Sequence, residues 1–196
     1  MNDAPVPPDN PGEDEAMPGA LSRDSLRSGA LARRFAALVP GLVVLSDAER
    51  DESLRRTLAD RPCGGDAWLF AYGSLMWNPT VLHVEQRPAR IAGWQRRFCL
   101  STPGGRGTPD APGLVLALDA GGHCDGVALR IAENALWEEL SLLWRREMLT
   151  GAYRPVWVPL LGSDGAAFGH GIAFTIDRER PQYVRLDEPE TVHRLA

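Results

Sequence analysis

From Trp68 onward, short runs of β-branched and aromatic residues alternate with glycine-rich breaks. They predict strands at Trp68–Tyr72, Arg90–Leu100, Leu114–Leu118, Gly126–Ile131, Arg154–Leu161 and Gly169–Ile176. Asp119-Ala120-Gly121-Gly122 falls between two of these runs and Gly162-Ser163-Asp164-Gly165 between another two, so both pairs read as antiparallel hairpins. One helical pattern interrupts the strands, from about Asn134 to Thr150, with Gly151 placed to close it. Strands with few helices among them predict an α+β fold, a curved antiparallel sheet or barrel with helices packed on it.

Upstream the pattern changes. Met1 to about Ser22 carries Pro, Gly, Asp and Glu with almost no large apolar side chains, a composition that cannot offset the entropy of ordering and so predicts a disordered tail. Asp24 to Leu38 is weakly helical, with Leu26, Leu31, Phe35 and Leu38 apolar, and Pro40-Gly41 ends it. Ser46-Asp47-Ala48-Glu49 has the spacing of a capping box and predicts a short helix to about Ala59, followed by a linker at Arg61–Gly65. Three segments result: a tail over 1–22, a helical extension and linker over 23–65, and a main domain over 66–196.

Composition narrows the function. Among 196 residues, 44% hydrophobic and 24% charged, bulk disorder is excluded. The net charge of −5 argues against general nucleic-acid binding. There is no lysine, and all 21 basic residues are arginine, which rules out Schiff-base chemistry and a P-loop lysine. Cys63, Cys99 and Cys124 form no CxxC pair, and His83, His123, His170 and His193 have no metal-ligand spacing, so no metal site is expected. An odd thiol count, no signal peptide and no long apolar run point to the cytoplasm and away from a membrane.

The helix from Asn134 carries an apolar stripe of Leu136, Trp137, Leu140, Leu143, Trp144 and Met148. At about 100° per residue, Glu147 returns to within roughly 20° of Leu136 after three turns, in the middle of that stripe. Glu138, Glu139, Arg145 and Arg146 fall on the opposite, polar side. A carboxylate in an apolar setting is either a functional acid/base with a raised pKa or a member of an ion pair, for instance with Arg106 or Arg154. The predicted first strand runs into Gly73-Ser74-Leu75, which is either an ordinary turn or a nest of backbone N–H groups for an anion. Ser74 lacks the GxSxG elbow of a nucleophile. Gly104 to Pro109 has no P-loop lysine and reads as a mobile lid; the tryptophans read mostly as core.

Phe70-Ala71-Tyr72-Gly73-Ser74-Leu75-Met76-Trp77 resembles the opening strand motif of the ChaC-like glutathione-specific γ-glutamylcyclotransferases. Four further segments resemble the same family in order: Gly93 to Phe98, Arg106 to Pro109 with Pro112-Gly113, Gly121 to Ala128, and Arg146-Glu147 followed by Gly151 and Tyr153. The resemblance implies a small mixed, mainly antiparallel β-barrel with flanking helices. It also implies a cofactor-free conversion of glutathione to 5-oxoproline and cysteinylglycine. By that resemblance Glu147 is the acid/base, while Tyr72, Gly73, Ser74, Leu75, Arg106 and Tyr153 bind substrate. The same chemistry on other γ-glutamyl amines or amino acids, and a non-catalytic glutathione-binding regulator, stay open beside it. The expected assembly is a monomer or weak homo-oligomer. The resemblance further implies a helical segment beyond Thr191–Ala196, so the sequence is expected to be either a fragment or a chain without that segment.

Overall fold

The computed structural model describes residues 21–104 and 107–195. The tail apart from Leu21 and Ser22, and Arg106 in the expected lid, lie outside the described residues. Ser22 caps helix α1 (Arg23–Arg27) with a reciprocal Ser25 bond. The helical stretch expected over Asp24–Leu38 is two helices, because Gly29, at φ 69°, breaks it before α2 (Ala30–Leu38). Helix α3 (Asp47–Ala59) starts on the Ser46–Glu49 capping box read from the sequence.

Five strands follow: β1 (Ala67–Ala71), β2 (Glu85–Thr102), β3 (Gly113–Ile131), β4 (Tyr153–Leu161) and β5 (Ala167–Ile176). They close a barrel in the order β1-β3-β2-β4-β5, antiparallel except where β5 pairs in parallel with β1 and β3. Two expected strands, Leu114–Leu118 and Gly126–Ile131, are one continuous strand. The glycines between them form a bulge instead of a hairpin turn, since Gly121 and Gly122, both at positive φ, are skipped as the register passes from Ala92↔His123 to Trp94↔Ala120. The hairpin at Gly162–Gly165 is present, joining β4 to β5. Pro155 and Pro159 fit in β4 because that strand meets β2 only at Leu161↔Arg90, leaving its other edge largely free of ladder bonds.

Helix α4 (Leu136–Glu147) follows a 3₁₀ turn at Glu133–Ala135 and ends three residues sooner than expected, at a Met148 cap. Its Leu140, Leu143 and Trp144 pack with Leu54 of α3 against Leu69, Leu129, Ile172 and Phe174 of the barrel wall. Trp144 meets Phe174 edge-on at 5.1 Å. A second cluster, of strand residues such as Phe70, Ile91, Leu118 and Leu160 together with Tyr72, fills the barrel. A last helix, α5 (Glu188–Leu195), ends the chain. No described helix is long and apolar enough to cross a membrane.

Candidate functional site

Strand β1 delivers Tyr72 and Gly73 to one end of the barrel, and a 3₁₀ turn at Ser74–Met76 redirects the chain. Gly126 permits this close approach. A Cβ there would sit 2.3 Å from the Ala71 carbonyl oxygen and 2.7 Å from the Phe70 ring, so β3 can cross beneath the strand end only with glycine. Helix α4 terminates at the same place and presents Glu147 from its last turn. Between them lies a cavity of about 180 Å³ lined by Tyr72, Gly73, Ser74, Leu75, Glu147 and Tyr153, with Phe98, Val115, Leu116 and Phe174 as its apolar wall. Trp77 stands at its edge with 73% of its surface exposed, contrary to the core role expected for most tryptophans.

Glu147 has a side chain only 15% exposed. Burial pushes its carboxyl above the ordinary carboxylate range, and the Arg146 guanidinium offsets part of that rise. The ion pair is Arg146 Nε to Glu147 Oε1 at 2.8 Å; of the two partners suggested by the sequence, Arg154 pairs with Asp177 and Arg106 lies outside the described residues. Arg146 is itself buried, against the polar-face expectation. It donates to Ser74 Oγ at 2.8 Å, to the Asn78 carbonyl and to Thr80 Oγ1, tying the acid to the loop after β1. Glu139, also expected on the polar side, is buried and paired with Arg23.

Two phenols complete the floor. Tyr72 donates to the Phe174 carbonyl at 2.9 Å, and its own carbonyl accepts from Arg96 at 3.2 Å. Burial raises both Tyr72 and Tyr153 above the ordinary phenol value, and the charge of Glu147 adds to the rise, so both keep their protons at neutral pH. The structure thus brings together Tyr72, Gly73, Ser74, Leu75, Glu147 and Tyr153. Sequence reasoning missed Arg146, which periodicity placed on the wrong face, and Arg96, which lies inside a quoted motif without an assigned role.

A larger hollow of about 790 Å³ runs between α3 and β4. Two of its carboxylates, Glu49 and Glu52, are held below their ordinary range, Glu49 by Ser46 and Glu52 by Arg56 and Arg55. Among the described residues no three His, Cys, Asp or Glu side chains cluster to hold a metal ion.

Residues 67–195 match the family model of the ChaC-like proteins. The chain is 44% identical over 163 residues to the glutathione-specific γ-glutamylcyclotransferase of Escherichia coli, covering 83% of this chain and 70% of the relative. It is 34% identical over 100 residues to the mouse glutathione-specific γ-glutamylcyclotransferase 1, covering 47% of this chain and 45% of that one. A crystal structure of a γ-glutamylcyclotransferase specific to glutathione from yeast superposes with a TM-score of 0.57 at 20% identity, covering 65% of this chain and 76% of that chain, a likeness of fold. With a barrel of the same kind and a family match over the whole of it, the chain belongs to the ChaC-like protein family.

Proposed function

We propose that the protein is a γ-glutamylcyclotransferase that converts glutathione to 5-oxoproline and cysteinylglycine, with Glu147 as its acid/base. The observation that carries the reading is a buried carboxyl of raised pKa at the wall of a small cavity whose opposite side is the Tyr72–Leu75 strand end. The γ-glutamyl group lies against Tyr72, Gly73, Ser74 and Leu75, with Tyr153 closing the floor. Curling the chain there turns ring closure into a reaction of high effective molarity.

The α-ammonium of the substrate loses a proton to Glu147, and the freed amine attacks the γ-carbonyl carbon. A carboxyl lifted toward neutrality is a more effective base for this than an ordinary glutamate. Charge develops on the carbonyl oxygen, and backbone N–H groups of the Gly73–Leu75 turn, which lines the cavity, stabilise it. The bond to the cysteine nitrogen then breaks as Glu147 gives its proton to that nitrogen, and the carboxylate so regenerated takes the second proton from the ring nitrogen and passes it to the released amine, which leaves as its ammonium. Arg146 holds the Glu147 carboxylate in place and fixes the loop bearing Ser74.

Incubation with glutathione in EDTA, followed by mass spectrometry, is expected to yield 5-oxoproline. Glu147→Gln, nearly isosteric, should lose turnover by at least about 10²-fold to 10⁴-fold, the range for a general acid/base. The α-linked Glu-Cys-Gly peptide should be inert because its cysteine is not attached at the γ-carbon. Retention of more than about a tenth of wild-type turnover by Glu147→Gln, far more than loss of a general base allows, removes Glu147 from this role. Faster release of 5-oxoproline from other γ-glutamyl compounds than from glutathione transfers the assignment to those substrates.

A further inference from the structure

Glu147 and Tyr153 border two cavities. Behind the γ-glutamyl cavity lies a second one, of about 140 Å³, and it is built from parts of the chain far apart in sequence. Phe35 and Leu42 from the N-terminal extension form one wall, Leu100 and Leu149 another, and Gln182 from the segment after β5 closes it. The extension is fixed in place there. A Cβ on Gly104 would touch Phe35 and Val39 at 3.3 Å, and Leu45 N–H donates to the Leu149 carbonyl at 2.9 Å. Gln182 is pinned through its backbone, its carbonyl accepting from Ser101 N–H at 2.8 Å.

The side chain of Gln182 is the unexplained feature. Its Oε1 is buried without a hydrogen-bond partner, a state that native structures seldom tolerate. The two ends of a glutamine amide differ only in donor and acceptor character. A peptide group, which carries both a donor and an acceptor, satisfies the free end in either orientation.

Size points the same way. The first cavity, at about 180 Å³, falls short of the roughly 300 Å³ at the lower end of small-molecule sites, and the second brings the pair to that range. Glu147 must reach both the attacking amine and the departing nitrogen, and with Tyr153 it borders both cavities.

We propose that the second cavity receives the leaving dipeptide. The cysteine side chain lies against Phe35, Leu42 and Leu149, and the following peptide group bonds to the Gln182 amide. The N-terminal extension thereby helps determine which γ-glutamyl compounds are accepted. This rests on the cyclotransferase reading.

The test uses the full chain with Gln182→Leu, which keeps the backbone bond to Ser101, and Phe35→Ala. Reduced cysteinylglycine is titrated and followed by NMR of the protein. Turnover is compared between glutathione and γ-glutamyl methylamide, which has nothing to place in the second cavity. Gln182→Leu should weaken dipeptide binding about fivefold to tenfold, the size of one hydrogen bond, and lower the kcat/KM ratio of glutathione to the methylamide by a similar factor. Phe35→Ala should lower the same ratio. Failure of cysteinylglycine to bind the wild type, or binding and ratio both unchanged in Gln182→Leu, overturns the proposal. Dipeptide binding that weakens in Gln182→Leu, in a protein that releases no 5-oxoproline, overturns the cyclotransferase reading instead and leaves the cavity assigned.

Discussion

Arg23→Ala should unfasten the N-terminal extension from the barrel and destabilise the whole protein. Arg23 forks onto Glu139 with Nη1 to Oε2 at 2.5 Å and Nη2 to Oε1 at 2.8 Å, and it also donates to the Thr80 carbonyl at 3.0 Å. The Glu139 side chain is 3% exposed and that of Arg23 24%. With the guanidinium removed, the buried carboxylate keeps, among the described residues, the Leu82 N–H at 2.7 Å as its donor. Breaking a fully buried pair costs about 3–5 kcal/mol, and the partial exposure of Arg23 reduces this to about 2–3 kcal/mol. At about 2–4 °C per kcal/mol for a chain of this size, Tm should fall by about 4–12 °C.

The loss should depend on pH. Burial alone would raise the Glu139 pKa, but the Arg23 fork and the Leu82 amide overcome it and hold the carboxyl below its ordinary value. A depressed carboxyl pKa contributes stability that is present above the unfolded value of about 4.3 and disappears as pH falls through the folded one. The Tm gap between wild type and Arg23→Ala should therefore be full at pH 7, narrow near the unfolded carboxylate range at about pH 4, and close as pH falls through the lower folded value. Thermal denaturation by circular dichroism measures both. Because Thr80 and Asn78 also receive Arg146, which holds Glu147, turnover should fall as well, by up to about tenfold. A loss below about 0.5 kcal/mol at pH 7, the scale of an exposed pair, or a gap that does not narrow as pH falls below about 4, refutes this account.

Three other outcomes follow from buried groups. Glu147→Gln removes a carboxyl whose raised pKa is a penalty present above its folded pKa and absent below the unfolded value, so its Tm should exceed that of wild type at pH 8 and converge with it toward pH 4; a lower Tm at pH 8 contradicts this. Gly126→Ala forces a Cβ into the Ala71 carbonyl and the Phe70 ring, neither of which can yield, and should cost about 1–3 kcal/mol or more and abolish turnover; an unchanged melting curve contradicts it. In the folded protein only the exposed Cys63 should react promptly with iodoacetamide at pH 8, because burial pushes the Cys99 thiol up to about 11 and raises that of Cys124; prompt uptake of a second equivalent counts against it.

The parts of this molecule legible in the sequence are those decided within one element. The Ser46 cap, the Gly162–Gly165 hairpin and the place of Glu147 on an apolar arc each follow from spacing over a few residues, and each stands in the structure. The misreadings arise where a distant segment decides. Periodicity gives α4 one buried face, yet this helix is covered twice, by the barrel and α3 on one side and by α1 on another. Glu139 and Arg146 are therefore charged residues in covered positions, each stable only because a partner meets it.

Gly121-Gly122 illustrates the same limit in the sheet. Two glycines between strand-like runs suit a tight turn or a bulge equally well, since both need positive φ. The choice falls to the long β2–β3 ladder, which continues past them from Arg90↔Asp125 to Phe98↔Leu116 and requires only that β3 absorb one extra residue opposite Gly93. The family motifs begin within residues 67–195 and so carry no information about Phe35 or Leu42. That these side chains share a cavity with Glu147 follows from a chain path in which the extension crosses the end of α4 before the barrel begins, a relation that no local pattern encodes.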